Sequence, residues 1–125
     1  MIQALLAWGP AAIWTAVLFL LSELPPDVAG GGFQINDKIA HVGLYSVLGG
    51  ALAWGVWKSR KGTFTVPLFL GIGYGALDEV HQAFVPGRDP SVGDFLADCA
   101  GVLLGFLFLR SILRAGAAGA PDETT

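Results

Sequence analysis

Charge and sulfur are what this sequence has least of. Its one cysteine, Cys99, stands inside an apolar run, so it has no intrachain partner and says nothing about redox compartment. Only 14% of the 125 residues are charged, against about a quarter in soluble domains. Seven Lys+Arg face ten Asp+Glu, a formal net charge of −3, which leaves no basic surface to neutralise a phosphate backbone and excludes nucleic acid as an expected partner. Disorder requires low hydrophobicity with high charge, the reverse of a chain that is 54% hydrophobic with a mean hydropathy of +0.62. What remains is a small integral membrane protein, and the question becomes what its few charges are for.

What the chain has in abundance is apolar length. About 20 residues cross a bilayer core as a helix, and the pattern predicts four such spans, at about 4–22, 38–57, 64–84 and 92–113. Leu24-Pro25-Pro26 stops the first, and Lys58, Arg60 and Lys61 close the second. The third tolerates Pro67 because a missing N–H matters least in a first turn. The first run has no basic leader and no small-residue cleavage site, so it is read as a helix and not as a signal peptide. The expected fold is all-α: residues 1–125 form one domain, a four-helix transmembrane bundle with short loops and a frayed tail over 115–125. Short positively charged loops stay in the cytoplasm, so Lys58, Arg60, Lys61, Arg110 and Arg114 predict both termini inside a bacterial inner membrane. Glu23, Asp27, Asp37, Asp78, Glu79, Asp89, Asp94 and Asp98 then fall at the extracytoplasmic end, with Lys38 and Arg88 among them.

Ionisable groups inside a span are expensive and usually face the bundle interior. Lys38, His41 and Tyr45 recur on one face of the second helix, Asp78 and Gln82 continue the Gly71/Gly75 stripe of the third, and Asp94 and Asp98 continue the Gly101/Gly105 stripe of the fourth. Each G-x-x-x-G pair permits close helix approach, within the chain or in a homo-oligomer. Phe84-Val85-Pro86-Gly87-Arg88 predicts a type II turn that holds Arg88 over the cluster. Plainer roles stand beside these. Asp37 and Asp94 suit first helical turns, Ser91-x-x-Asp94 is a capping-box pattern, Lys38 can snorkel, and His41 suits a hydrogen-bonded interior histidine. Asp78 and Glu79 have no capping role, because a helix C-terminus opposes carboxylates; a network with Arg88 and Lys38 would hold the helices in register. His81 lies on another face from Asp78, and Trp8, Trp14, Trp54 and Trp57 read as packing and interface anchors.

The pattern Asp37-Lys38-x-x-His41-x-x-x-Tyr45, then Asp78-Glu79-x-x-Gln82-x-Phe84-x-Pro86-Gly87-Arg88, then Asp94 and Ala97-Asp98-x-x-Gly101-x-x-x-Gly105, resembles the VanZ-like family over the second to fourth helices. The family often carries Asn at the position of Asp98. The resemblance implies a small multi-pass protein of bacterial membranes, from a family named for a protein of glycopeptide-resistance clusters that lowers teicoplanin sensitivity. It names no reaction.

Chemistry suggests one. Arg88 and Lys38 can clamp a phosphate, and His41, Asp78 and Glu79 can supply acid and base, with Gln82, Tyr45, Asp37, Asp94 and Asp98 completing a binding site. The expected partner is an anionic envelope lipid or a lipid-linked precursor, bound or modified at the outer leaflet. No cofactor is expected, and no recognisable metal-binding spacing is present, although Asp78, Glu79, His41 and Asp94 are plausible ligand types. Two other readings stay open: a structural or partner-binding protein whose polar cluster holds the helices together, and a small transporter, which the apolar inner halves of the helices disfavour.

Overall fold

The computed structural model describes residues 1–25, 37–60 and 63–119. Within them the chain forms four helices and no strands: α1 (Ile2–Ser22), α2 (Asp37–Ser59), α3 (Thr65–Gln82) and α4 (Val92–Ala118). Asp27, Lys61, and the acids Asp122 and Glu123 lie outside the described residues. α1, α2 and α4 are long and apolar enough to cross a membrane. α3 is less apolar, because its last turns are given to Asp78, Glu79, His81 and Gln82. The expected span ending at 84 therefore stops at Gln82, where Phe84 N and Val85 N turn back to the carbonyls of His81 and Gln82. At the other extreme α4 continues to Ala118, so the described part of the tail expected to fray is helical up to there. Ala115, Ala117 and Ala118 favour helix enough to carry it past Arg114.

Side-chain contacts give the topology. Trp14 reaches Leu44 while Trp54 reaches Leu6, so α1 and α2 run antiparallel. Lys38 meets Asp94 and His41 meets Asp98, so α2 and α4 run parallel. Tyr74 meets Thr15 and His81 meets Ser22, so α1 and α3 also run parallel. This is an up-down-up-down bundle, the arrangement that short connections impose. Large apolar side chains such as Ile13, Leu20, Phe69, Leu77 and Phe108 are left on its exterior, as a lipid-facing surface requires.

Pro10 lies well inside α1. A proline there leaves the carbonyl four residues earlier without its helical donor. That carbonyl belongs to Leu6, and the Trp54 indole N–H donates to it at 3.0 Å. The helix passes through its proline because its neighbour replaces the missing hydrogen bond, as membrane helices generally require.

The tightest seam joins α2 to α4, and glycine makes it. A Cβ on Gly101 would sit 2.6 Å from the Val42 carbonyl oxygen, and one on Gly105 or Gly49 would collide outright with the backbone oxygens of Ser46 and Val102, respectively. Gly71 packs against Leu52 and Val102, and Gly75 against Asp98 and Tyr45. The Gly71/Gly75 and Gly101/Gly105 stripes, read as faces for close helix approach within the chain or in a homo-oligomer, are occupied by helices of the same chain. Beneath the seam Tyr45, Leu48, Val102 and Phe106 form the centre of the core.

Replacing Gly105 with Ala is expected to lower stability by about 1–3 kcal/mol, the usual consequence of overpacking. Gly73→Ala, where a Cβ meets nothing within 4 Å, is expected to be neutral or to stabilise by up to about 1 kcal/mol. Thermal unfolding of both variants in detergent reads the contrast.

Candidate functional site

Three helix ends meet at one end of the bundle: the first turns of α2, the last turns of α3 and the first turns of α4. Each contributes polar residues to the junction, and the small-residue stripes behind them decide which way those residues point. Gly75 lets Asp98 lie against α3, with a would-be Cβ 3.1 Å from the Asp98 Cβ. Gly101 lets the base of Tyr45 lie against α4.

The outermost contact is Lys38 Nζ donating to Asp94 Oδ1 at 2.8 Å, with the lysine side chain 54% exposed and the aspartate 7%. One turn deeper, His41 Nδ1 lies 2.7 Å from Asp98 Oδ1, and these side chains are 10% and 1% exposed. Deeper along α2, the Tyr45 hydroxyl donates to Asp78 Oδ2 at 3.0 Å, and Gln82 Nε2 donates to the same oxygen at 3.2 Å. The three residues expected to share one face of α2 therefore each reach a different acid. Asp37 stays at the exposed rim, where one of its oxygens lies within 4.8 Å of ligand atoms of His41 and Asp94.

Glu79 does something the local sequence does not announce. Ser91 caps α4 through its own hydroxyl, which accepts from Gly93 N at 3.1 Å and Asp94 N at 3.3 Å. In a capping box the third helical residue would return the favour to the cap's N–H. Asp94 is instead turned to Lys38, and the Ser91 N–H donates to Glu79 Oε2 of α3 at 2.8 Å. The carboxylate that completes the cap comes from another helix. The other oxygen, Glu79 Oε1, is buried with no hydrogen-bond partner, and so is Asp98 Oδ2. One ligand atom each from His41, Glu79 and Asp98 lies within 4.8 Å of the other two, and all three residues are buried. The ligand types noted in the sequence are thus regrouped: Asp98 takes the place beside His41 and Glu79, while Asp78 is engaged by Tyr45 and Gln82.

Arg88 is positioned by the turn read from the sequence but not over the acids. Arg88 N donates to the Val85 carbonyl at 3.1 Å, and Gly87 has φ 81°, the geometry of a type II turn with Pro86 and Gly87 at its centre. The turn delivers the guanidinium to the C-terminus of α1. There Nε and Nη2 donate to Leu24 O at 3.2 and 3.0 Å, and Nη2 donates to Leu21 O at 3.2 Å. A guanidinium suits this place because the last carbonyls of a helix have no intrahelical donors and carry the negative end of its dipole. His81, unplaced by sequence reasoning, belongs to the same junction: its Nε2 lies 2.7 Å from Glu23 Oε1, its Nδ1 3.4 Å from Ser22 Oγ, and its ring stacks on Phe19 with centroids 5.0 Å apart. The signal for that pairing was available, since α1 and α3 of an up-down bundle end at the same level and both end in polar residues.

Chemically, the end of the bundle divides in two. Arg88, His81, Glu23 and Ser22 tie α1 to α3 and to the turn that follows it. Lys38, Asp94, His41, Asp98 and Glu79 form a separate group running from an exposed rim to a buried interior. Arg88→Ala is expected to loosen the end of α1, costing about 1.5–3 kcal/mol as hydrogen bonds from a charged group are lost. Arg88→Lys should recover only part of it, because an ammonium lacks the guanidinium fork. Hydrogen–deuterium exchange over residues 19–24 should quicken in both variants, more in the first.

No curated protein and no solved structure matches the chain. A family model described as VanZ/LLP1 matches residues 5–114, a stretch that takes in the greater part of all four helices, both junctions and the turn at Pro86-Gly87. The chain is a membrane protein and belongs to the VanZ-like family.

Proposed function

We propose that this protein receives the head group of an anionic cell-envelope lipid, or of a lipid-linked envelope precursor, at the end of the bundle that carries Lys38, His41 and Asp98. The observation that carries the reading is the order of the two ion pairs. A half-exposed ammonium, held in place by Asp94, stands at the rim above an imidazole–carboxylate pair that is almost wholly buried. A rim ammonium is suited to a phosphate. An imidazole oriented by a carboxylate is the arrangement of a general base, so the same geometry supports modification of the head group as well as binding. With the carboxylate ionised, His41 Nδ1–H donates to Asp98 and Nε2 is the nitrogen that accepts a proton.

The basic residues favour an orientation for this site. Lys58, Arg60, Arg110 and Arg114 belong to the opposite end of the bundle, which by the positive-inside tendency faces the cytoplasm with both termini. The head-group site then opens on the outer leaflet of the bacterial cytoplasmic membrane, where envelope precursors are displayed and where teicoplanin acts. Altered access to such a precursor is the route by which the protein would lower teicoplanin sensitivity.

A structural role is the second reading, and Arg88 favours it for part of the polar set: its donors go to α1 carbonyls, and Glu79 Oε2 completes the α4 cap. The two readings separate by residue. Lys38→Ala removes a half-exposed side chain and leaves Asp94 without its ammonium, so it is expected to lower the unfolding temperature in detergent modestly while the bundle stays folded. It is also expected to weaken binding of a polyprenyl phosphate or phosphatidylglycerol to the purified protein, followed by native mass spectrometry, about tenfold. In a strain whose teicoplanin tolerance depends on this protein, Lys38→Ala and His41→Ala at matched membrane levels should move sensitivity toward that of the deletion. Wild-type lipid binding and wild-type tolerance in both variants would sink the head-group reading.

A further inference from the structure

Two acids are buried beside one imidazole with oxygens left over, and the bundle itself offers nothing to satisfy them among the described residues. Glu79 Oε1 and Asp98 Oδ2 have no hydrogen-bond partner, and their residues are only 8% and 1% exposed. An unsatisfied carboxylate oxygen away from water is strongly unfavourable unless something positive meets it. Lys38 is bonded to Asp94, and Arg88 is bonded to the end of α1. Meanwhile one ring nitrogen of His41 and one oxygen each of Glu79 and Asp98 lie within 4.8 Å of one another. We infer that His41, Glu79 and Asp98 bind a divalent cation of the Zn²⁺ or Mn²⁺ class.

Donor chemistry and charge both select that class. One imidazole nitrogen with two carboxylate oxygens is a mixed set that suits borderline first-row ions. Ca²⁺ needs six to eight oxygens, and Mg²⁺ keeps most of its water in preference to a buried protein cage. Two carboxylates and a neutral imidazole carry two negative charges, which one dication balances, so the interior of the site becomes neutral without a buried proton. Bonds of about 2.0–2.2 Å place neighbouring ligands about 3.4 Å apart in a tetrahedral sphere. The three groups already span that range: their ligand atoms lie within 4.8 Å of one another, and the 2.7 Å contact between His41 and Asp98 would open to admit the ion. Glu79 is held for this by its other oxygen, which the Ser91 N–H fixes at 2.8 Å, an outer contact of the kind that orients metal ligands. Three protein ligands leave a fourth position open, as in sites that act on a bound molecule.

The inference rests on the head-group reading only for what the ion would meet: a cation in the acidic interior gives a second point of attachment for a phosphate held at the rim by Lys38. Metal binding itself is measured without lipid. The full chain, purified in detergent and stripped with chelator, is titrated separately with Zn²⁺ and Mn²⁺ by calorimetry, and its metal content is measured after desalting. About one equivalent per chain is expected, with Glu79→Gln and Asp98→Asn each weakening binding about tenfold or more while circular dichroism and size exclusion report folded protein. Asp94→Asn is expected to keep the ion. Failure of the wild-type protein to bind either metal would overturn the inference. So would unchanged affinity in both Glu79→Gln and Asp98→Asn, or loss in Asp94→Asn alone, which would move the ion to the rim group of Asp37, His41 and Asp94. No metal binding with Lys38-dependent lipid binding intact refutes the cation and leaves the head-group reading standing; metal binding with no lipid response does the reverse.

Discussion

A carboxylate carried into the apolar slab of a bilayer must be met by a partner on another helix, since neither lipid nor its own helix can solvate it. Nearly every other feature of this bundle follows from that demand. Asp94, Asp98 and Asp78 find Lys38, His41 and Tyr45 on α2, and short side chains such as aspartate reach across only if the backbones lie close. Glycine at positions 49, 101 and 105 brings α2 against α4, and glycine at 71 and 75 admits α3. The small-residue stripes and the buried acids are two halves of one arrangement, and neither would be stable alone.

That coupling also explains what could be read in advance. Polar residues lying on the continuation of a glycine stripe have to point where the glycines point, so the faces of α2, α3 and α4 were legible from spacing. So was the Pro86-Gly87 turn, whose type depends on two adjacent residues. Partner choice between helices was not legible, because it depends on relative height and rotation. Arg88 could satisfy acids or carbonyls, and only the length of α1 and the direction of the turn put Leu21 and Leu24 within its reach. Glu79 could pair with a cation or cap a helix, and the choice was made by where α4 begins. Gly49 carried no G-x-x-x-G signature of its own and was overlooked, although its backbone contact with Val102 is among the closest in the bundle. Asp98 was read as one binding residue among several, at a position where the family often carries Asn, and it is the most buried acid among the described residues.

Aromatic residues bring a different demand, that of their own N–H and O–H donors for an acceptor inside the bundle. The Trp14 and Trp54 indoles and the Tyr74 hydroxyl each donate to a backbone carbonyl of a neighbouring helix. These bonds tie α1 to α2 and α3 along its length, although α1 contributes few buried residues of its own: Ala7, Ala11, Leu18 and Ser22. The helix that holds none of the rim-to-interior acids is tied to α2 by its own Trp14 and by Trp54, to α3 by Tyr74, and at its last turn to Arg88.

That last attachment orders events in time as well as in space. α1 leaves the ribosome and enters the membrane before the turn after α3 has been made, and its closing carbonyls stay without Arg88 until that turn exists. The body of α1 can be tied to α2 as soon as Trp14 and Trp54 meet their carbonyls, but its last turn waits for a residue between α3 and α4.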